Sequence, residues 1–423
     1  MTFSKQTLPN GLRVILVPEA DAMAATVLVL VETGSKYESK RINGISHFLE
    51  HMCFKGTTKR PRSIDISSEL DSLGAQYNAF TSQEYTGYYA KVQPLHVSKA
   101  LEIVADLYQN PTFDAKEIEK EKGVIVEEIN MYEDMPHRRA GELLLECMYG
   151  EQPAGWPIAG TPDIVRTFTR DDFVAYRAAH YLADSTLVVV AGKFDEKAVL
   201  LQIEKEFAGI VRSEKGGKLA VTDTQKAPEI VIKHKESDQS HLALGVRSRP
   251  LAHKDTFVLE VLAGILGGGM SSRLFEKVRE EMGAAYYVRA GNDAYTDHGA
   301  FGVAAGVDHR KLDAVIEAIL GEMKKLKTED VGERELEKVK QSFVGDLYLG
   351  LEKSDEIANF YGGQEILKRE TLTPEEMASR VQAVTAADVR RVANEIFVTE
   401  HLNLALIGPF KEKDRFVKLL SLS

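Results

Sequence analysis

Apolar positions along the chain switch repeatedly between the two-residue period of strands and the 3.6-residue period of helices. Residues 24–31 and 187–191 form mostly apolar runs of buried-strand length, far too short to span a membrane. Strand signals also flank the Asn-Gly pair at 10–11 and a turn near Ser82 within 77–92. Helical spacing covers four stretches, which are 44–54, 63–73, 97–108 and 114–133.

The two halves of the chain share an order of landmarks about 210 residues apart. Leu-Gly-Ala-Gln-Tyr at 73–77 matches Met-Gly-Ala-Ala-Tyr at 282–286, and a Tyr-Thr pair follows each. A strand and a helix come next, and a Thr-capped helix followed by an apolar strand closes each half. Any two α/β domains share some of this alternation of strands and helices, but the matched order of four landmarks favours duplication of an α+β unit.

A polar, glycine-rich stretch with little periodicity separates the halves. We therefore predict an N-terminal domain at 1–212, a linker at 213–228 and a homologous C-terminal domain at 229–423. The predicted fold class is α+β, with an antiparallel-rich sheet packed by helices in each domain.

Charge, hydrophobic content and cysteine count exclude several classes of protein. Among 423 residues, 53 Lys+Arg against 64 Asp+Glu give a net charge of −11, which argues against a nucleic-acid binder. A hydrophobic fraction of 44% excludes a disordered chain, and no apolar run predicts a membrane segment. Cys53 and Cys147 are too few for a disulfide framework or a thiolate metal site and suit a reducing compartment. We expect a cytoplasmic protein, although a removed targeting segment would leave no trace in this sequence.

A compact motif in the 44–54 helix carries the candidate chemistry. His47 and His51 are four residues apart, so their imidazoles project from one helical face, as two ligands of one metal ion must. Glu50 lies on the same broad side, near such an ion and free not to coordinate it. This is the inverted form of the common metalloprotease helix motif. The alternative is a polar surface helix.

A second helix, at 114–133, offers carboxylates two turns apart. Glu121 and Glu128 lie nearly above one another, with apolar residues between them. A carboxylate from this helix would complete a three-ligand zinc site with an open fourth position. Glu127 adjoins Glu128 but points about 100° away on a helix, and the helix register with Glu121 favours Glu128. Taken singly, either glutamate also suits a solvated helix face.

These motifs together resemble one family. The run from Gly44 to Thr57, the Asn-Ala-Phe-Thr segment at 78–81 and the 76 residues between His51 and Glu128 resemble the inverzincin metallopeptidases of the pitrilysin and mitochondrial-processing-peptidase family. The segments at 271–275 and 279–286 are similar to that family's C-terminal half. The resemblance covers essentially the whole chain.

The resemblance implies one Zn²⁺ per chain, held by His47, His51 and Glu128. Glu50 would be the general base, acting on a water whose pKa zinc lowers toward about 7. Glu121 matches the family's additional glutamate, which orients a ligand histidine.

Substrate contacts are implied for two further segments. An extended peptide would add as a strand beside Asn78, Ala79, Phe80 and Thr81. From the C-terminal half, Arg279 would grip a substrate carbonyl and Tyr286 would stabilise the oxyanion. An ion-paired surface arginine and a core tyrosine are the alternatives, and Tyr287 competes with Tyr286 by position alone.

The family's members build a chamber from four such domains, so a two-domain chain implies a dimer. The intact motif suggests a homodimer acting on peptides or unfolded precursor segments, while a heterodimer with a motif-lacking homologue stays open. The alternative function is a non-catalytic subunit or assembly scaffold of the same fold.

Overall fold

The computed structural model describes residues 2–213, 215–368 and 370–422. Its strands are β1 (Ser4–Thr7), β2 (Arg13–Pro18), β3 (Ala25–Val31), β4 (Gln76–Thr81), β5 (Thr86–Val92), β6 (Thr186–Gly192), β7 (Glu229–His234), β8 (Ser240–Ser248), β9 (Ala285–Ala294), β10 (Gly299–Val307) and β11 (Asn403–Gly408).

The first eight α-helices include the four predicted at 44–54, 63–73, 97–108 and 114–133. They are α1 (Ile45–Cys53), α2 (Ser63–Ser72), α3 (Val97–Gln109), α4 (Ala115–Glu133), α5 (Pro136–Tyr149), α6 (Pro162–Val165), α7 (Arg170–His180) and α8 (Glu196–Glu206). The remaining helices are α9 (Thr256–Gly267), α10 (Leu312–Thr328), α11 (Glu333–Gly350), α12 (Ser354–Lys368), α13 (Pro374–Gln382), α14 (Ala386–Ile396) and α15 (Asp414–Val417). A π-helical segment, Phe275–Glu281, precedes β9.

The first sheet has the strand order β1-β2-β6-β3-β5-β4. All neighbouring strands are antiparallel except β2 and β6, which run parallel. The central strands β3 and β6 are buried along their whole length, which explains their continuous apolar runs. Strand β4 lies at one edge of this sheet.

The second sheet has the order β7-β11-β8-β10-β9. Its one parallel pair is β7 with β11, and its other pairs are antiparallel. Strand for strand this repeats β2-β6-β3-β5-β4, with the parallel pair in the same place. The prediction of two α+β domains with antiparallel-rich sheets is therefore confirmed, and the shared topology supports duplication.

The compact units are not contiguous in sequence. One contains 1–129, 157–219 and 348–374, and the other contains 130–156, 220–347 and 375–423. Helix α12 packs on β3 and β6 of the first sheet, while α5 packs on β8 and β11 of the second. The predicted division into 1–212, a linker at 213–228 and 229–423 did not anticipate these two exchanged segments, because an amphipathic pattern marks a buried face without specifying which sheet covers it.

No helix in the described part of the chain is long and apolar enough to cross a membrane. Cys53 and Cys147 are both free thiols.

Candidate metal centre

The buried stripe of α1 determines which of its side chains reach the site. Ile45, Phe48, Leu49 and Met52 are fully buried, at the i, i+3, i+4 and i+7 positions that form one helical face. The opposite side of the helix therefore presents His47, Glu50 and His51 together.

The register of α4 is fixed in the same way. Ile118, Glu121 and Ile125 are buried along one stripe, and Glu128 follows one turn later with its side chain only 20% exposed. Glu127 is exposed. The structure thus turns Glu128, and not Glu127, toward α1.

His47, His51 and Glu128 converge on one point. Their ligand atoms lie within 4.8 Å of one another, and they form the metal-capable cluster found among the described residues. Glu128 Oε2 is 3.5 Å from His47 Nε2 and 3.4 Å from His51 Nε2. Two imidazole nitrogens and one carboxylate oxygen are a donor set typical of catalytic zinc sites.

A hydrogen bond on the other ring nitrogen orients His51 for metal binding. Its Nδ1 donates a hydrogen bond to Glu121 Oε1 over 2.9 Å. A carboxylate only accepts, so the bond places a proton on Nδ1 and directs Nε2 toward Glu128. This observation shows that the residues fit a divalent metal ion.

Electrostatics favour a cation at the same place. Burial lowers the pKa of His51, but hydrogen bonds to Glu121 and Glu128 and the charge of Glu50 outweigh burial and raise it to about 9. The carboxylates therefore stabilise positive charge between the two helices, as a metal ion requires.

Glu50 is held beside the cluster without joining it. Thr81 Oγ1 donates to Glu50 Oε2 over 2.6 Å. Burial raises the pKa of Glu50, and this effect exceeds the lowering by Thr81 and the two histidines. Oε1 has no hydrogen-bond partner within the described ranges, so it is available to exchange a proton with a water molecule.

Sequence reasoning missed Lys55. Its Nζ lies 2.6 Å from Glu121 Oε2, on the side of the carboxylate away from His51. Burial raises the pKa of Glu121, but the bonds from His51 and Lys55 outweigh burial and lower it. Lys55 thus keeps Glu121 ionised and bonded to His51. Lys55 lies beyond the last residue of α1, so helical spacing does not point to it.

The predicted peptide-binding segment forms the edge strand β4. Asn78 is exposed, Ala79 is buried, and Phe80 and Thr81 are half-buried. The Ala79 amide donates to Asn78 Oδ1 over 2.9 Å, so it is directed away from the ladder with β5. Thr81 joins this edge directly to Glu50.

Arg279 and Tyr286 lie together in the second unit. Arg279 extends from the π-helical segment, and its Cζ is 5.8 Å from the centre of the Tyr286 ring. Tyr286 is 76% exposed, whereas Tyr287 is half-buried and its hydroxyl lies 3.1 Å from His241 Nδ1. Of the two tyrosines, Tyr286 is therefore the accessible one.

Known proteins match both halves of the chain. A family model described as "Insulinase (Peptidase family M16)" matches residues 13–162, and one described as "Peptidase M16 inactive domain" matches 167–343. A Bacillus subtilis protein named "Uncharacterized zinc protease YmxG" is 37% identical over 96% of this chain and 98% of its own length. The chain belongs to peptidase family M16. A Streptomyces coelicolor protein, also named an uncharacterized zinc protease, is 32% identical over 97% of this chain and 91% of its own length.

Two solved structures share the fold. A protease from Helicobacter pylori superposes with a TM-score of 0.89 at 24% identity, covering 96% of this chain and 99% of that one. Complex III2 from Candida albicans contains a chain with a TM-score of 0.85 at 17% identity, covering 99% of each.

The M16 half that matches the inactive domain lacks the ligands at the equivalent place. Helix α9 follows β8 as α1 follows β3, but its sequence contains no histidine. The two-unit chain thus concentrates the candidate metal ligands in its first unit.

Proposed function

We propose that this chain is a zinc-dependent endopeptidase. The observation that carries the proposal is the convergence of His47, His51 and Glu128 within 4.8 Å, beside the uncoordinated carboxylate of Glu50. The zinc-protease names of its M16 relatives support the same metal and the same reaction class.

Bound zinc would supply a Lewis acid for the scissile carbonyl and acidify the attacking water. His47, His51 and Glu128 would hold the ion, one per chain, and Glu121 would keep the ring of His51 in place. Glu50 would take a proton from the water on Oε1 and pass it to the leaving amine, while Thr81 keeps the other oxygen in position. A raised pKa, caused by burial, suits a group that must both accept and return a proton.

The substrate would bind as an extended strand. Edge strand β4 offers main-chain groups to a peptide, which favours unfolded segments over a single preferred residue. Arg279 would bind a substrate carbonyl and Tyr286 the developing oxyanion, since both side chains are exposed and adjacent.

A dimer would complete the enclosing chamber. Because this chain keeps all of the predicted ligand and base residues, we propose a homodimer with one zinc site per protomer. Light scattering should then give twice the chain mass of 46.9 kDa.

Metal analysis tests the proposed site. Purified protein should hold one zinc per chain after dialysis, and His51→Ala should lose it because two ligands no longer retain the ion. His96→Ala is the matched control, since His96 lies in the same unit outside the cluster. Zinc retained in full by His51→Ala would refute the site.

A further inference from the structure

A buried carboxylate caps the helix that bears the two histidines. Glu38 is 3% exposed, and it lies seven residues before α1 begins. Its Oε1 accepts from the Ser46 amide over 2.8 Å, and its Oε2 accepts from the Gly44 amide over 2.7 Å. The side chain of Asn43 donates a third bond over 3.0 Å. Glu38 thus takes up amides at the start of α1 that have no partner within the helix.

The N-cap residue, Gly44, cannot accept hydrogen bonds from these amides through a side chain. Gly44 has φ of 99° and no side chain, and a Cβ there would lie 2.6 Å from the Ala159 carbonyl oxygen. The usual cap residues Ser, Thr, Asp and Asn are therefore sterically excluded from position 44. The helix start must be fixed by a side chain from elsewhere, and Glu38 is the residue that supplies it.

A hydroxyl network anchors the same turn to the rest of the first unit. Ser46 Oγ lies 2.7 Å from Tyr176 Oη on α7, and Tyr176 Oη lies 2.9 Å from Thr33 Oγ1. Ser46 is buried and directly precedes His47. Glu38 and Tyr176 therefore hold Ser46 by its amide and its hydroxyl, on a turn that leaves little freedom to the next side chain.

We propose that Glu38 is a positioning residue for the metal centre, which fixes the first turn of α1 and thereby the approach of His47 to Glu128. The inference rests on the proposed zinc site. The charge of the carboxylate adds to its geometry, because a negative group at a helix N-terminus stabilises the helix. Without the cap, α1 would stay attached by its apolar stripe, but its first turn would be free to shift. Such a shift would move His47 away from the position in which it can share a metal ion with His51 and Glu128.

The test compares zinc affinity in two buried-carboxylate variants. Glu38→Gln replaces one accepting oxygen by an NH₂ group, which donates and cannot accept from a backbone N–H. The control is Glu365→Gln on α12, whose carboxylate is 1% exposed and pairs with Arg13 and Lys5, away from α1. Zinc dissociation constants are measured by chelator competition, and urea midpoints of the metal-free proteins report stability.

We expect Glu38→Gln to weaken zinc binding at least tenfold, within the range seen when groups supporting a ligand are removed, and Glu365→Gln to change it less than threefold. The visible spectrum of the cobalt(II)-loaded protein should also change for Glu38→Gln alone. Equal zinc affinities in wild type and Glu38→Gln, or equal losses in both variants, would overturn the inference.

A second variant covers the case in which Glu38→Gln does not fold. Glu38→Asp keeps the charge but is one methylene too short to reach both amides, so we expect an intermediate loss of about fivefold. Unchanged affinity in Glu38→Asp would then overturn the inference. A wild-type protein that binds no zinc would instead refute the proposed function, which keeps the two failures distinct.

Discussion

At the scale of single residues, spacing predicts that the two histidines of α1 share a helical face, because helical periodicity fixes which side chains lie on one side. The choice of Glu128 as the third ligand came from the family resemblance. Lys55 and Glu38 could not be predicted, since their roles depend on contacts with partners that sequence spacing does not identify. Lys55 forms an ion pair with Glu121, which lies 66 residues further along the chain. Glu38 accepts a hydrogen bond from a backbone amide, and because every residue except proline has such an amide, the sequence does not single out this partner.

The bond between Glu121 and His51 makes a prediction about metal affinity. Glu121→Gln keeps the shape of the side chain but loses the charge that holds Nδ1–H. We expect zinc binding to weaken about 10- to 100-fold with the fold intact. Chelator competition measures the affinity, and circular dichroism checks the fold. Unaltered affinity would show that Glu121 does not orient the ligand.

His180 makes a prediction about pH and stability. Burial, with a smaller contribution from the charge of Lys215, lowers its pKa from 6.5 to about 4. Between pH 6.5 and 4, His180 is therefore protonated in the unfolded chain but stays neutral in the folded chain. The free energy of unfolding is therefore unaffected by His180 above pH 6.5. It falls by about 3 kcal/mol as the pH is lowered toward 4.

Urea unfolding of wild type and His180→Phe across this pH window measures the effect. The variant, which has no titrating ring at this position, should lose less stability on acidification. An identical pH dependence in both proteins would contradict the assignment.

At the scale of elements, periodicity predicted helices α1 to α4, but it did not predict the elements on which the helices pack. The edge position of β4 is known only from the sheet order, and the packing of α12 on the first sheet depends on Gly362. A Cβ at that glycine would lie 2.8 Å from Leu30 Cδ1 and 3.3 Å from Val189 Cγ2, so this helix lies unusually close to the sheet.

Edge strand β4 can be tested through the outward amide of Ala79. Ala79→Pro removes that donor while leaving the ladder with β5, and edge strands tolerate proline. If substrate pairs with this strand, KM for an unfolded peptide should rise about tenfold, the equivalent of one lost hydrogen bond. Zinc content should not change. An unaffected KM would argue against strand addition at this edge.

At the scale of the whole molecule, the sequence predicted duplication, and the repeated strand order supports it. The packing of α5 on the second sheet and of α12 on the first lay beyond sequence reasoning, because the buried face of a helix does not specify which sheet covers it. Their placement means that each sheet is completed by a segment from the other half of the chain.

A fragment comprising residues 1–219 should therefore fail to fold independently. It lacks α12, which covers β3 and β6, and it retains α5 without the sheet on which α5 packs. We expect no cooperative urea transition for the fragment, in contrast to the full chain. A cooperative transition with the midpoint of the full chain would show that α12 is dispensable.

The most direct test of the account is mass spectrometry of an unfolded polypeptide incubated with the zinc-loaded protein and with zinc-loaded Glu50→Gln. Because only the proton-exchanging carboxylate differs, we expect defined internal cleavage products from wild type and at least 100-fold slower cleavage by the variant at equal zinc content. Equal cleavage by both proteins, or none by the zinc-loaded wild type, would contradict it.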